Sequence, residues 1–201
     1  VAISKTSFGG ATVVEHWREG DGKSKCVIEF DAPITQIPER AFYKSNITGN
    51  LIIPNSVTGI DDGAFYGCEN LNGTLTLSNS LIWIGEDAFL NCPGLTGKLT
   101  LPNSLKYIYG GAFSGCTGFT GDLLLPKSLE EVGSYSFENC NNIQTVNFQS
   151  LPKSIGYQPK KTVSLSDDSY IYTEATGIVD EISYTRQMTS NWGTLVLPYS
   201  L

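Results

Sequence analysis

Four cysteines, Cys68, Cys92, Cys116 and Cys140, recur every 24 residues, and that interval constrains the fold more than any other feature of the chain. Phe65, Phe89, Phe113 and Phe137 keep the same interval, and so do Ile60, Ile84, Ile108 and Val132. A fixed period of roughly 20–50 residues marks stacked structural units, none of which can bury its apolar face alone. One unit reads IGEDAFLNCPGLTGKLTLPNSLKY (84–107), and the next, IYGGAFSGCTGFTGDLLLPKSLEE (108–131), matches it at most apolar positions. A weaker copy carries Ala41-Phe42 after Ile37, and the copy that starts at Val132 decays after Cys140.

Each unit reads as a short physical program. The paired apolar residues Ile28/Phe30, Leu51/Ile53, Leu75/Leu77, Leu99/Leu101, Leu123/Leu125 and Val146/Phe148 have strand periodicity, both side chains pointing one way. Proline follows several of them, as at Pro102 and Pro126, and ends the strand because it cannot donate to a ladder. A short extended stretch such as Ser104–Ile108 comes next. An acidic or glycine pair is then expected to open one helical turn carrying Ala-Phe, as in Glu86-Asp87-Ala88-Phe89, where carboxylates suit a helix N-terminus. The expected class is a β-rich (α+β) right-handed solenoid of about five to six 23–24-residue units, with short helical turns.

The pattern I-G-x-x-A-F-x-x-C-x-x-L-T-x-x-L-x-L-P-x-S-L resembles the BspA-like leucine-rich repeat family of bacterial surface proteins, over about residues 27–155. The segment FGGATVVEHWREGDGKSKCVIEF (8–30) resembles the hairpin that precedes the first repeat in such proteins. The resemblance implies a secreted or surface-anchored protein engaged in adhesion or protein binding, and it identifies no ligand. Most units here are one residue longer than the family's usual repeat, within the turn Thr96-Gly97-Lys98, so a relative's binding residues do not transfer.

A solenoid needs caps, because its end layers otherwise expose strand edges and core side chains. Residues 1–26 are expected to form an N-terminal capping hairpin, with alternating Val13/Glu15/Trp17, a Gly20-Asp21-Gly22 turn, and Cys26/Ile28/Phe30 on the return strand. Residues 27–155 form the solenoid. Residues 156–201 form a β-rich C-terminal segment, opened by Gly156-Tyr157-Gln158-Pro159 and carrying the alternations Val163/Leu165, Ile182/Tyr184 and Leu195/Leu197. The stretch 183–201 resembles the opening of a β-rich module that follows these repeats in gut-bacterial proteins; it is either a truncated module or a cap packed on the last repeat.

Composition narrows the function. A net charge of −7 offers no Lys/Arg stripe for nucleic acid, and the apolar runs are too short for a transmembrane segment. The spacing of the column cysteines is unlike a zinc site, and parallel side chains in one column do not face each other for disulfides, so buried thiols are expected. Cys26, outside the column, is expected to be buried too. His16 is the single histidine, and the carboxylate pairs Asp61-Asp62, Glu86-Asp87, Glu130-Glu131 and Asp167-Asp168 sit on turns. No nucleophile, base and orienting group assemble from these residues, so no enzyme activity, metal or cofactor is expected.

Two surfaces remain as binding candidates. One is the aromatic column of Trp83 and Tyr107, flanked by Ile82 and Tyr109, where Gly59 and Glu131 fill the same position in other units. The core does not require an aromatic there, so the rings suit a protein hot spot or a stacked sugar, or else cover a neighbouring turn. The other is the outward side of the paired-Leu strands: Asn50/Ile52, Thr74/Thr76, Lys98/Thr100, Asp122/Leu124 and Thr145/Asn147. The reading is a non-catalytic binding or adhesion module, extracellular or at the cell surface, recognising a host or neighbouring-cell protein. A structural spacer and a carbohydrate-binding accessory of a surface glycan system are the alternatives.

Overall fold

The computed structural model describes residues 9–10, 13–19, 25–150, 152–156 and 194–196, with the backbone alone for 13–19, 25–30 and 194–196. The chain opens on an antiparallel hairpin of β1 (Val13–Glu19) and β2 (Lys25–Phe30), in which Val13 faces Phe30 and Trp17 faces Val27. It then winds through β3 (Gln36–Ile37), β4 (Leu51–Ile52), β5 (Gly59–Ile60), β6 (Leu75–Thr76), β7 (Trp83–Ile84), β8 (Tyr107–Ile108), β9 (Gly121–Leu125), β10 (Glu131–Val132), β11 (Ile143–Phe148) and β12 (Ser154–Ile155). A last strand, β13 (Thr194–Val196), lies parallel to β11. The remaining residues of the C-terminal segment, and the Gly20-Asp21-Gly22 turn, lie outside the described residues.

Among the described residues all pairing after the hairpin is parallel, as a solenoid requires. One sheet has six strands in the order β12-β10-β8-β7-β5-β3, and each step advances by one repeat. The paired-Leu strands form the second stack, as β4-β6 and β9-β11-β13, with Leu99–Leu101 attached to β9 through a bridge at Thr100–Leu124 and a further bridge, Gly97–Phe119, just before it. The more continuous ladder is therefore the Ile-bearing stretch, which the sequence alone marks only as extended chain. The reason lies in the hydrogen bonds: Tyr109 N–H donates to Ile84 at 2.9 Å and Gly133 N–H to Ile108 at 2.6 Å, layer after layer.

The expected helical turns are absent among the described residues. The Ala-Phe segments are successive tight turns, each with two left-handed residues four apart: Arg40 and Lys44, Gly63 and Gly67, Asp87 and Asn91, Gly111 and Gly115, Tyr135 and Asn139. A right-handed helix cannot contain a left-handed residue every turn. The freed amides reach the next layer instead. Gly63, Phe65 and Gly67 donate to the carbonyls of Glu86, Ala88 and Leu90 at 2.7–2.8 Å. The helix-dipole argument for the acidic residues falls with the helix. Asp62 instead ties two layers together, its side chain accepting the Glu86 amide at 2.7 Å.

The core is a set of columns. Ile37, Ile60, Ile84, Ile108, Val132 and Ile155 are buried beneath the six-stranded sheet, and Leu75/Leu77, Leu99/Leu101 and Leu123/Leu125 beneath the other. Phe42, Phe65, Phe89, Phe113 and Phe137 stack between them, with ring centroids 5.0, 5.1, 5.3 and 5.5 Å apart and planes within 9° of parallel. These separations lie close to the strand spacing of about 4.8 Å, so the backbone repeat sets them rather than the rings' own preference for edge contacts. Phe119 adds such an edge contact against Phe113, at 72°. Phe89 is fully buried with rings above and below it. Phe89→Ala should lower the unfolding free energy by about 3–5 kcal/mol in denaturant titration, as expected for a buried Phe with no side chain free to fill the gap.

Candidate functional site

The six-stranded sheet presents one outward column. Parallel register lines up Gln36, Gly59, Trp83, Tyr107, Glu131 and Ser154. Their inward neighbours are uniformly aliphatic, whereas the outward positions differ in every layer. Trp83 and Tyr107 thus stand on adjacent strands, as the repeat arithmetic predicts, and both are half-buried. Tyr109, two positions on from Tyr107, is 39% exposed, and the two tyrosine rings stack at 6.2 Å with planes 12° apart. Ile82, just before Trp83, is half-buried.

Trp83 does not stand free of the sheet. A Cβ added to Gly59 would lie 2.0 Å from Cζ2 and 2.2 Å from Cε2 of the indole, so the ring lies across the bare backbone of the preceding layer. Its Nε1 donates to Asp61 Oδ1 at 3.4 Å, and the Asp61 carboxylate also accepts Nε2 of Gln36 at 2.6 Å. Gln36, Asp61 and Trp83 therefore form one linked set across three layers. Sequence reasoning missed Gln36 and Asp61. The available signal was Gly59 in the same column as Trp83.

Charged residues border this aromatic strip on both sides. Before it runs a ladder in which Lys106 and Lys153 meet Glu130 at 3.3 and 2.6 Å, and hydrogen bonds from Lys153 and then Lys106 hold the Glu130 carboxyl below its usual range. Beyond it lie Asp62, Glu86 and Asp87. Burial, then the charges of Glu86 and Asp62, raise the pKa of Asp87.

The remaining candidates lie on the paired-Leu sheet. Thr76 pairs in register with Ile52, and Thr100 with Leu124. Thr76, Lys98, Thr100 and Asp122 are exposed, and Thr145 Oγ1 donates to Asp122 Oδ1. Ile52 and Leu124 are 68% and 43% exposed. The eight candidate residues therefore fall into two groups on two sheets.

The column thiols point inward. Cys68, Cys92, Cys116 and Cys140 are free and fully buried. Each Sγ donates to a phenylalanine carbonyl of the preceding layer: Phe42, Phe65, Phe89 and Phe113, at 3.0–3.1 Å. A small apolar residue with one weak donor meets both demands of the position, which explains cysteine there. Burial pushes the Cys116 thiol well up and Cys140 up to about 12. The hydrogen bond to Cys68, then burial, raises Cys92. Among the described residues, no cluster of His, Cys, Asp and Glu is arranged to hold a metal, and no helix is long and apolar enough to cross a membrane. His16 and Cys26 lie on the hairpin strands, and their side chains are outside the described residues.

The repeat geometry coincides with a known profile, the BspA type leucine-rich repeat region, which matches residues 35–159 in six copies. The chain belongs to this family. Among solved structures it is similar to a T. pallidum leucine-rich repeat protein, at 28% identity and a TM-score of 0.56, covering 63% of this chain and 68% of that one. It is also similar in fold to a leucine-rich cell surface protein of Faecalibacterium prausnitzii, at 24% identity and a TM-score of 0.52, covering 70% of this chain. The match spans 41% of that longer protein. No curated protein sequence matches the chain.

Two expected outcomes test this geometry. Gly59→Ala should destabilise the protein by about 1–3 kcal/mol through overpacking, and most of that cost should vanish in a Trp83→Ala background, measured as a double-mutant cycle. Independent costs would show that the indole does not rest on Gly59. The four column thiols should resist a thiol reagent at pH 8 and react together on unfolding; rapid native labelling would contradict their burial.

Proposed function

We propose that this BspA-type repeat chain is a non-catalytic binding module of a secreted or cell-surface bacterial protein, engaging a protein partner through the exposed face of the paired-Leu sheet. The observation that carries the reading is the contrast between the two sides of each strand. Inward positions repeat almost residue for residue, while the outward pairs Asn50/Ile52, Thr74/Thr76, Lys98/Thr100 and Asp122/Leu124 change with every layer. Asn50 has an interlayer task, its Oδ1 accepting the Thr74 amide at 2.9 Å, but no such bond accounts for Ile52 and Leu124, whose exposure works against solubility. Threonines between those two aliphatic side chains complete a smooth column, and Lys98 and Asp122 supply opposite charges beside it.

The surface location rests on the family and on the F. prausnitzii protein, which is described as a cell surface protein. In this reading residues 1–26 cap the solenoid at its start and residues 156–201 at its end, and the pairing of β13 with β11 supports the second assignment. The protein-binding face is the paired-Leu sheet, where the aliphatic side chains of Ile52 and Leu124 stand exposed, rather than the aromatic column, where Trp83 and Tyr107 are half-buried.

The experiment is binding of the labelled chain to intact epithelial and bacterial cells. Binding should disappear after trypsin treatment of the cells, and Thr100→Arg should weaken it about tenfold, or about 1.4 kcal/mol, with the melting temperature unchanged. Failure to bind either cell type, or affinity indifferent to Thr100→Arg, would overturn the assignment.

A further inference from the structure

The aromatic strip on the six-stranded sheet is a separate surface with different chemistry. We propose that Tyr107, Tyr109 and Trp83 form a platform for an uncharged glycan, whose sugar rings stack on the aromatic faces while Asp61, Gln36 and Glu131 take its hydroxyl groups.

Four observations converge on this occupant. The indole lies on a glycine, and glycines flank Tyr109 along the sheet. Gly59 lies beneath Trp83, and Gly85 and Gly133 occupy the positions on either side of Tyr109 in the adjacent layers. At Gly133 an added Cβ would come within 2.6 Å of the Tyr109 backbone, so the close approach of the two layers keeps that position bare. The result is a low shelf, and a pyranose presents its apolar C–H face to such a shelf. The platform is also held in place. Trp83 is fixed by Asp61, which is fixed by Gln36, so a ligand need not immobilise the indole itself.

The polar groups within reach are mainly acceptors. Two carboxylates, an amide and two phenol hydroxyls border the rings, and sugar hydroxyls are donors to such groups. An anionic ligand would instead meet Asp61, Asp62, Glu86 and Asp87 in a chain of net charge −7, where burial and then the charges of Glu86 and Asp62 already raise the pKa of Asp87. Finally, the strip is narrow. A protein hot spot needs a surrounding ring of neutral contacts that excludes water. Here the Lys106–Glu130–Lys153 ladder lies on one side and the acidic turns on the other. A thin, linear chain fits between them better than a broad partner does.

The test is affinity electrophoresis of the full chain through gels containing β-glucan, α-mannan, xylan or galactan, with dextran sulfate as the charged control. At least one neutral polysaccharide should retard the protein, and dextran sulfate should not. Tyr109→Ala, at the most exposed ring, should weaken that retardation at least tenfold while leaving the near-ultraviolet dichroism and melting temperature unchanged. Trp83→Phe should weaken it less, which guards against an unfolded Trp83→Ala. Thr100→Arg, on the other sheet, should leave retardation unaltered, so this proposal and the protein-binding reading fail independently. Mobility unchanged in all four neutral gels would overturn the proposal. So would retardation that survives Tyr109→Ala, or retardation by dextran sulfate alone.

Discussion

Neighbouring layers of this molecule are tied together by backbone hydrogen bonds along the Ile-bearing sheet and the Ala-Phe turns, and for part of the coil along the paired-Leu strands, and the rest of the structure depends on that register. The Ile-bearing strands, the paired-Leu strands and the Ala-Phe turns all pass their amides or carbonyls to the neighbouring repeat. Each residue therefore stands against its counterpart one unit away, at a spacing of about 4.8 Å. Identical side chains must then coexist at that distance. Parallel Phe rings, branched aliphatics and thiols do so comfortably. Buried like charges would not, and among the described residues the columns of the core contain none.

This register explains what was legible in the sequence. Cys68, Cys92, Cys116 and Cys140 could be placed inside because a column repeats its environment as well as its residue. The inward and outward sides of Leu75-Thr76-Leu77 followed from alternation alone. The Ala-Phe segment was misread for an equally physical reason. Gly63/Gly67 and Gly111/Gly115 advertise left-handed backbone, but Arg40, Lys44 and Tyr135 take the same conformation at a cost of about 1–2 kcal/mol each. Interlayer hydrogen bonds outweigh that local preference, and a single unit read by itself contains no trace of them.

The candidate surfaces divide along the same line. That Trp83 and Tyr107 would be neighbours was a matter of counting. That the indole would lie down on Gly59, with its nitrogen held by Asp61, depends on a pairing between unlike residues in different layers. Repetition reveals what layers share and conceals what one layer does to the next. The exposed positions are where layers differ, so they are where reading by repeats loses its power.

The indole resting on Gly59 also bears on how the chain avoids misassembly. Near-identical units invite out-of-step pairing, in which one unit is skipped and the following one docks in its place with most of its apolar contacts intact. Trp83 penalises that error. Docked on the layer of Gln36 instead, its ring would land on a side chain where it now finds bare backbone, and Asp61 would no longer be there to accept its nitrogen. One bulky residue and one missing Cβ thus act as a key and its keyway, giving otherwise interchangeable units a fixed order.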